Sequence, residues 1–92
     1  MAKTGAIKLE SYTGLTKLPQ KAATAWTAVE GLIGVSYKPL LYVGEQVVDG
    51  VNYWYIAERT LVTKTAVRNV VKFAVWQKPD GMLEKQPDVE IF

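Results

Sequence analysis

An α+β fold, with one amphipathic helix packed on a twisted antiparallel sheet of four to five strands in the order β-α-β-β-β-β, is predicted by three features of the 92-residue sequence. Apolar residues between positions 19 and 33 recur at helical spacing. Everything from Val35 onward is rich in Val, Tyr, Trp, Ile and Phe. That second part is broken by three short turn signals. With 49% hydrophobic residues and no low-complexity stretch, the chain reads as a single domain over 1–92. A domain of this size buries roughly 60 to 70% of the surface its unfolded chain exposes.

Ala6, Ile7 and Leu9, with Lys8 and Glu10 between them, alternate up to Tyr12 and read as a short edge strand that Gly14 ends. Ala22, Ala25, Trp26, Val29, Leu32 and Ile33 follow the i, i+3, i+4, i+7 spacing of one helix face, with Lys21, Thr24, Thr27 and Glu30 opposite. The pattern predicts a helix over about 19–33, with Pro19 in its first turn, Gly31 weakening its last turn and Gly34 just past its end. Strands are predicted over about 35–47, 51–62, 66–77 and 82–91. Asp49-Gly50, Thr63-Lys64-Thr65 and Pro79-Asp80-Gly81 separate them.

Connections this short make neighbouring strands antiparallel, so the part after the helix is a meander with the helix covering one face. Alternate turns of a meander lie at the same edge, which puts 46–50 beside 79–81 and the 63–65 turn at the far edge. If 6–12 pairs antiparallel with 35–47, its start reaches the first edge too. Side-chain parity then selects the second hairpin's loop. A core face of Val67, Val71, Phe73 and Val75 needs Leu83, Val89 and Ile91 opposite, and a three-residue loop 79–81 supplies that register. Pro79-Asp80-Gly81 suits a type I turn followed by a left-handed Gly81, and the register pairs Val71 with Val89 and Lys72 with Asp88.

Composition removes most catalytic chemistries. Cysteine and histidine are both absent, so there is no disulfide framework, no thiol nucleophile, no Ser-His-Asp or Cys-His pair, and none of the usual nitrogen and sulfur ligands of zinc. The nine acidic residues are scattered, and no catalytic residue, cofactor or metal site is expected. Eleven basic residues interspersed with the acids give a net charge of +2 without the basic stripe of a nucleic-acid binder. No run approaches membrane-spanning length, and Met1-Ala2-Lys3-Thr4-Gly5-Ala6 lacks the apolar core of a secretory signal. Zero cysteines and no visible leader give a cytoplasmic expectation.

The candidate binding segment is Gln46-Val47-Val48-Asp49-Gly50 at the first hairpin apex. Asp-Gly between β-rich runs is by itself simply the strongest short hairpin signal. It is followed, however, by Val51-Asn52-Tyr53-Trp54-Tyr55-Ile56 and later by Val71-Lys72-Phe73-Ala74-Val75-Trp76. Together with the element order, these stretches resemble the cystatin superfamily, whose first hairpin carries QVVAG followed by a TNYYI-like strand. Four of the five loop letters are present, and the resemblance covers nearly the whole chain. By length, lack of cysteine and the ending in Phe92, the chain is nearest the stefin branch.

The resemblance implies a reversible, competitive inhibitor of papain-like cysteine proteases that is not itself an enzyme. An N-terminal segment around Gly5, the first loop Gln46, Val47, Val48, Asp49 and Gly50, and the second loop Pro79, Asp80 and Gly81 would together occlude the protease cleft. Val47 and Val48 would offer stiff apolar surface, and Gly50 would permit the tight reversal. Three segments suffice for an interface on the order of 800 Å² per partner. Three departures from the family stand out: Asp49 where alanine is usual, Asp80 where many members have tryptophan, and a shorter helix. The alternative is a non-inhibitory cystatin-fold interaction module using the same rim or a sheet face bearing Tyr42, Trp54 and Trp76. A monomer is expected, with exchange of the helix and first strand between copies as its route to a domain-swapped dimer.

Overall fold

A computed structural model of the chain describes residues 7–12, 18–62, 65 and 67–92, the first of these stretches in backbone only. Gly5, Ala6, Gly14 and the Thr63-Lys64 part of the distal turn lie outside the described residues. Strand β1 (Ile7–Tyr12) is followed by helix α1 (Gln20–Trp26), which a 3-10 turn extends over Thr27–Val29. Strands β2 (Val35–Val48), β3 (Gly50–Leu61), β4 (Val67–Gln77), β5 (Leu83–Lys85) and β6 (Val89–Glu90) complete the chain. All pairings are antiparallel in the order β1-β2-β3-β4-β5, and β6 also pairs with β4. The fold class is therefore α+β, one short helix against an antiparallel sheet. Among the described residues no helix is long and apolar enough to cross a membrane.

The helix ends well before residue 33. Pro19 sits just ahead of it, extended at φ −56° and ψ 152°, and Glu30 after the 3-10 turn is extended again at φ −81° and ψ 146°. Two threonines explain part of the shortening. Thr24 and Thr27 turn their hydroxyls back onto the carbonyls of Gln20 (3.0 Å) and Thr24 (2.7 Å), an arrangement that competes with helix propagation. No side chain caps the N-terminus, no acid stands in the first turn and no base in the last, and Gly31 follows. Leu32 and Ile33, expected on the apolar face, are exposed instead.

What the short helix does cover is an aromatic core. Ala22, Ala25, Trp26 and Val29 pack onto Tyr42, Tyr53, Tyr55, Ala57, Val71, Phe73 and Val75, all buried. The Trp26 ring meets Tyr55 edge-on at 5.0 Å between centroids and lies 5.8 Å from Phe73. Tyr55 contacts Tyr42 and Phe73, each at 5.6 Å. Such pairs add about 0.5 to 1.5 kcal/mol each beyond the area they bury. The buried Tyr55 hydroxyl is satisfied by donating to the Ala22 carbonyl at 2.6 Å, tying sheet to helix.

The second hairpin begins in the expected register and then leaves it. Gln77 pairs with Leu83, Trp76 with Glu84 and Val75 with Lys85, as the three-residue loop requires. The Gln86 amide still follows this register, donating to the Ala74 carbonyl at 2.8 Å, but Lys72 pairs with Val89 and Val71 with Glu90. Pro87 and Asp88 thus stand together opposite Phe73, a one-residue β-bulge. The bulge splits the strand expected over 82–91 and reverses parity beyond it. The expected pairs Val71–Val89 and Lys72–Asp88 do not form. Val89 and Ile91 are exposed, and so is Val67 near the start of β4, so none of the three joins the core.

Candidate functional site

Three segments converge on one end of the sheet. Ile7 at the start of β1 pairs with Gln46, two positions before the β2–β3 turn. The β2–β3 pairing runs through Val47–Val51 to Val48–Gly50, leaving Asp49 as the apex. At the same end, Val51 pairs with Gln77, from which β4 runs into the 79–81 turn. Of the nine residues expected in the interface, eight are described and all lie on this rim or at its base; Gly5 lies outside the described residues.

The first loop is narrow and held from one side. Gly50 has φ +98°, and a Cβ there would collide with the Gln77 carbonyl, so only glycine fits. The Trp76 indole N–H donates to the Asp49 carbonyl at 2.8 Å. Val47 is 64% exposed, whereas Val48 is half-buried and lines a shallow hollow of about 190 Å³ with Asp49, Asn52, Trp76 and Gln86. The exposed Asp49 carboxylate makes no hydrogen bond or ion pair among the described residues. Gln46 has another task. Its side-chain oxygen accepts from the Trp54 indole at 2.9 Å and from the Asn52 amide at 3.5 Å.

The second loop is closed by its own chemistry. Lys78 N–H donates to the Met82 carbonyl and Gly81 N–H to the Lys78 carbonyl, both at 2.8 Å, and Gly81 has φ +91° in open space. The Asp80 carboxylate accepts from the Met82 amide at 2.9 Å, so this side chain stabilises the turn that presents it. Pro79, Asp80 and Gly81 are all exposed. Behind the rim, a hollow of about 440 Å³ between α1 and the sheet is lined by Gln20, Lys21, Thr24, Tyr53, Gln77 and Leu83. Within it the Tyr53 hydroxyl donates to Gln77 at 3.3 Å, and burial, with help from the Glu45 carboxylate, pushes that phenol's pKa up.

The helix-free face carries Trp54 and Trp76, both half-buried, but not Tyr42, which lies buried against Tyr55 on the helix side. The register shift in β2 between Tyr42 and Gly44 accounts for this difference, and a second shift between Pro39 and Leu41 restores the parity beyond it. Val43, Trp54 and Ile56 beside Lys72 surround an apolar hollow of about 320 Å³ on that face.

Away from the rim, the bulge turns Asp88 onto the helix side. Asp88 accepts from the Tyr37 hydroxyl at 2.7 Å, Arg59 at 3.0 Å and Lys85 at 2.7 Å, while Arg59 also reaches Asn69 at 3.1 Å and Glu90 at 2.8 Å. The Lys85 ammonium lies 4.7 Å from the Phe73 ring centre and 5.1 Å from that of Tyr37. Burial alone would push the Asp88 carboxyl up, but the bonds from Lys85, Tyr37 and Arg59 together hold it below its usual range. Burial, reinforced by the bond to Asp88, pushes the Tyr37 phenol well up, and the bond to Asp88 raises the Arg59 guanidinium. The cluster closes the sheet where the helix does not reach.

Compared with protein-family models, curated proteins and solved structures, the chain finds no match. The site therefore rests on its own residues. Trp76, Lys78 and Glu84 at the rim were not singled out as a group by sequence reasoning. The strand order alone does not say which indole reaches which carbonyl. Asp88 was assigned to the wrong face, and the available signal was Pro87, since proline inside a strand marks an edge or a bulge.

Proposed function

We propose that the chain is a reversible, competitive inhibitor of papain-like cysteine proteases with a cystatin-like arrangement of helix and sheet, acting in the cytoplasm as a monomer. The observation that carries this reading is the common rim: the start of β1, the Val47–Gly50 apex and the 79–81 turn at one end of the sheet. A narrow apex flanked by two further segments suits insertion into a cleft. The exposed Val47 supplies apolar contact, and a loop already closed by hydrogen bonds loses little freedom on docking. No catalytic step, cofactor, metal, nucleic acid or membrane enters the proposal. Titrating papain and a cathepsin with the purified protein tests it. Competitive inhibition is the expected result, and none at micromolar concentration would overturn it.

A second reading, a non-inhibitory interaction module, is favoured by one observation: the Asp49 carboxylate at the tip of the rim, which has no bonding partner among the described residues. Burying it in a cleft without a cation costs several kcal/mol, about 1 to 3 even on mutational scales for uncharged polar groups. In this reading the rim or the Val43, Trp54 and Ile56 face binds another protein, and papain is not inhibited.

A further inference from the structure

We infer that Trp76 is a positioning residue that sets the shape of the first loop and couples it to the second. The backbone of Trp76 pairs with Asn52, yet its indole reaches past Val51 and Gly50 to the apex carbonyl of Asp49 at 2.8 Å. The same indole nitrogen crowds the space above Gly50: a Cβ there would stand 3.1 Å from it. The bond lies in an exposed setting, where water competes for both partners, so its strength depends on how firmly the indole is held.

The second hairpin does the holding. The Lys78 ammonium lies 5.5 Å from the centre of the Trp76 ring and pairs with Glu84 at 3.3 Å. Glu84 stands directly opposite Trp76 on β5, and its side-chain and backbone oxygens both accept from the Gln86 side-chain amide Nε2 at 3.2 Å. A continuous chain of contacts, Gln86 to Glu84 to Lys78 to Trp76 to Asp49, thus crosses the helix-free face from the base of one loop to the apex of the other. Each link restricts the next, so the ordering cost of the indole is shared. The two loops form one surface. For inhibition this consequence rests on the reading proposed above: a preset rim gives up less freedom when it enters a cleft.

Nuclear magnetic resonance on the full chain tests the coupling without any protease. Trp76→Phe keeps an aromatic ring and removes the donor; Lys78→Ala leaves the donor and removes its support. Both variants are expected to shift the Asp49 and Gly50 amide resonances. Lys78→Ala should speed exchange of the Trp76 indole proton about fivefold, as expected of a local opening, with the Val71 and Phe73 amides unchanged. Unmoved Asp49 and Gly50 resonances in both variants would overturn the inference. Against papain, Trp76→Phe should raise the inhibition constant about tenfold. Loop resonances that respond in a protein that does not inhibit papain would refute the inhibitor reading and leave the coupling standing. Inhibition by a wild-type loop that neither variant disturbs would refute the coupling alone.

Discussion

The Tyr55 hydroxyl donates to the Ala22 carbonyl across 2.6 Å of otherwise apolar core, joining the middle of β3 to the first turns of α1. Both residues have no solvent exposure, so the bond has no aqueous competitor. Tyr55→Phe should keep the contacts with Trp26, Tyr42 and Phe73 and lower stability by roughly 1 kcal/mol, the usual net value of such a bond. Urea denaturation measures it. An unchanged midpoint would mean that the helix is held by ring packing alone.

Gly50 and Gly81 both have positive φ, but only Gly50 also lacks room for a Cβ. Gly50→Ala is expected to cost about 2 kcal/mol or more, combining backbone strain with the collision at Gln77, and Gly81→Ala about 1 kcal/mol from strain alone. Equal losses in thermal unfolding would contradict the close approach of the first loop to β4.

The Asp88 carboxyl is held below its ordinary value of 3.8, so the ionised form is the one the fold favours. Its contribution is fully present above that ordinary value and is lost as pH falls from there through the lower folded value. Asp88→Asn should therefore cost about 2 kcal/mol at pH 7 and progressively less below pH 4. Denaturation series at several pH values give the comparison. A difference between the two proteins that does not shrink on acidification would remove Asp88 from the acid response.

At the rim, Val47 is the cleaner of the two valines to alter because it is 64% exposed and adds little to folding. Val47→Asp should weaken papain inhibition tenfold or more, on the order of 1.4 kcal/mol, with the unfolding midpoint unmoved.

Asp49→Ala should tighten the same complex about fivefold or more, because it removes a carboxylate that the cleft would otherwise desolvate. Weaker inhibition after Asp49→Ala would instead show that the target offers a cation to this side chain. Inhibition assays with both variants decide the matter.

Periodic signals in this chain were legible and local exceptions were not. Alternation and Asp-Gly placed the β2–β3 hairpin, and parity selected the 79–81 loop, although of the three residues set opposite the β4 core face only Leu83, next to the loop, keeps that register. The helix was overextended. Leu32 and Ile33 keep the apolar spacing, while Thr24 and Thr27 spend their hydroxyls on helix carbonyls, which a hydropathy pattern does not register. Tyr42 and Asp88 were placed on the wrong faces for one shared reason: bulges at β2 and at Pro87 reverse side-chain direction, and nothing in an alternating pattern counts the extra residue. Trp76 lay among the recognised strand residues, but its reach to Asp49 depends on a tertiary register.

The extra residue at Pro87-Asp88 makes the C-terminal edge a matter of reading frame in space. Drawn straight with every residue kept, the edge would set Val89 opposite Val71 and Asp88 opposite Lys72, swinging the carboxylate away from Tyr37, Arg59 and Lys85 and exchanging an ionic clasp for an oily one in a single step. The position of one bulged residue, more than composition, is what this edge encodes. Point changes at the outward Val89 and Ile91 would pass almost unnoticed, while straightening the bulge between Gln86 and Val89 would break the bonds that Tyr37, Arg59 and Lys85 make to Asp88.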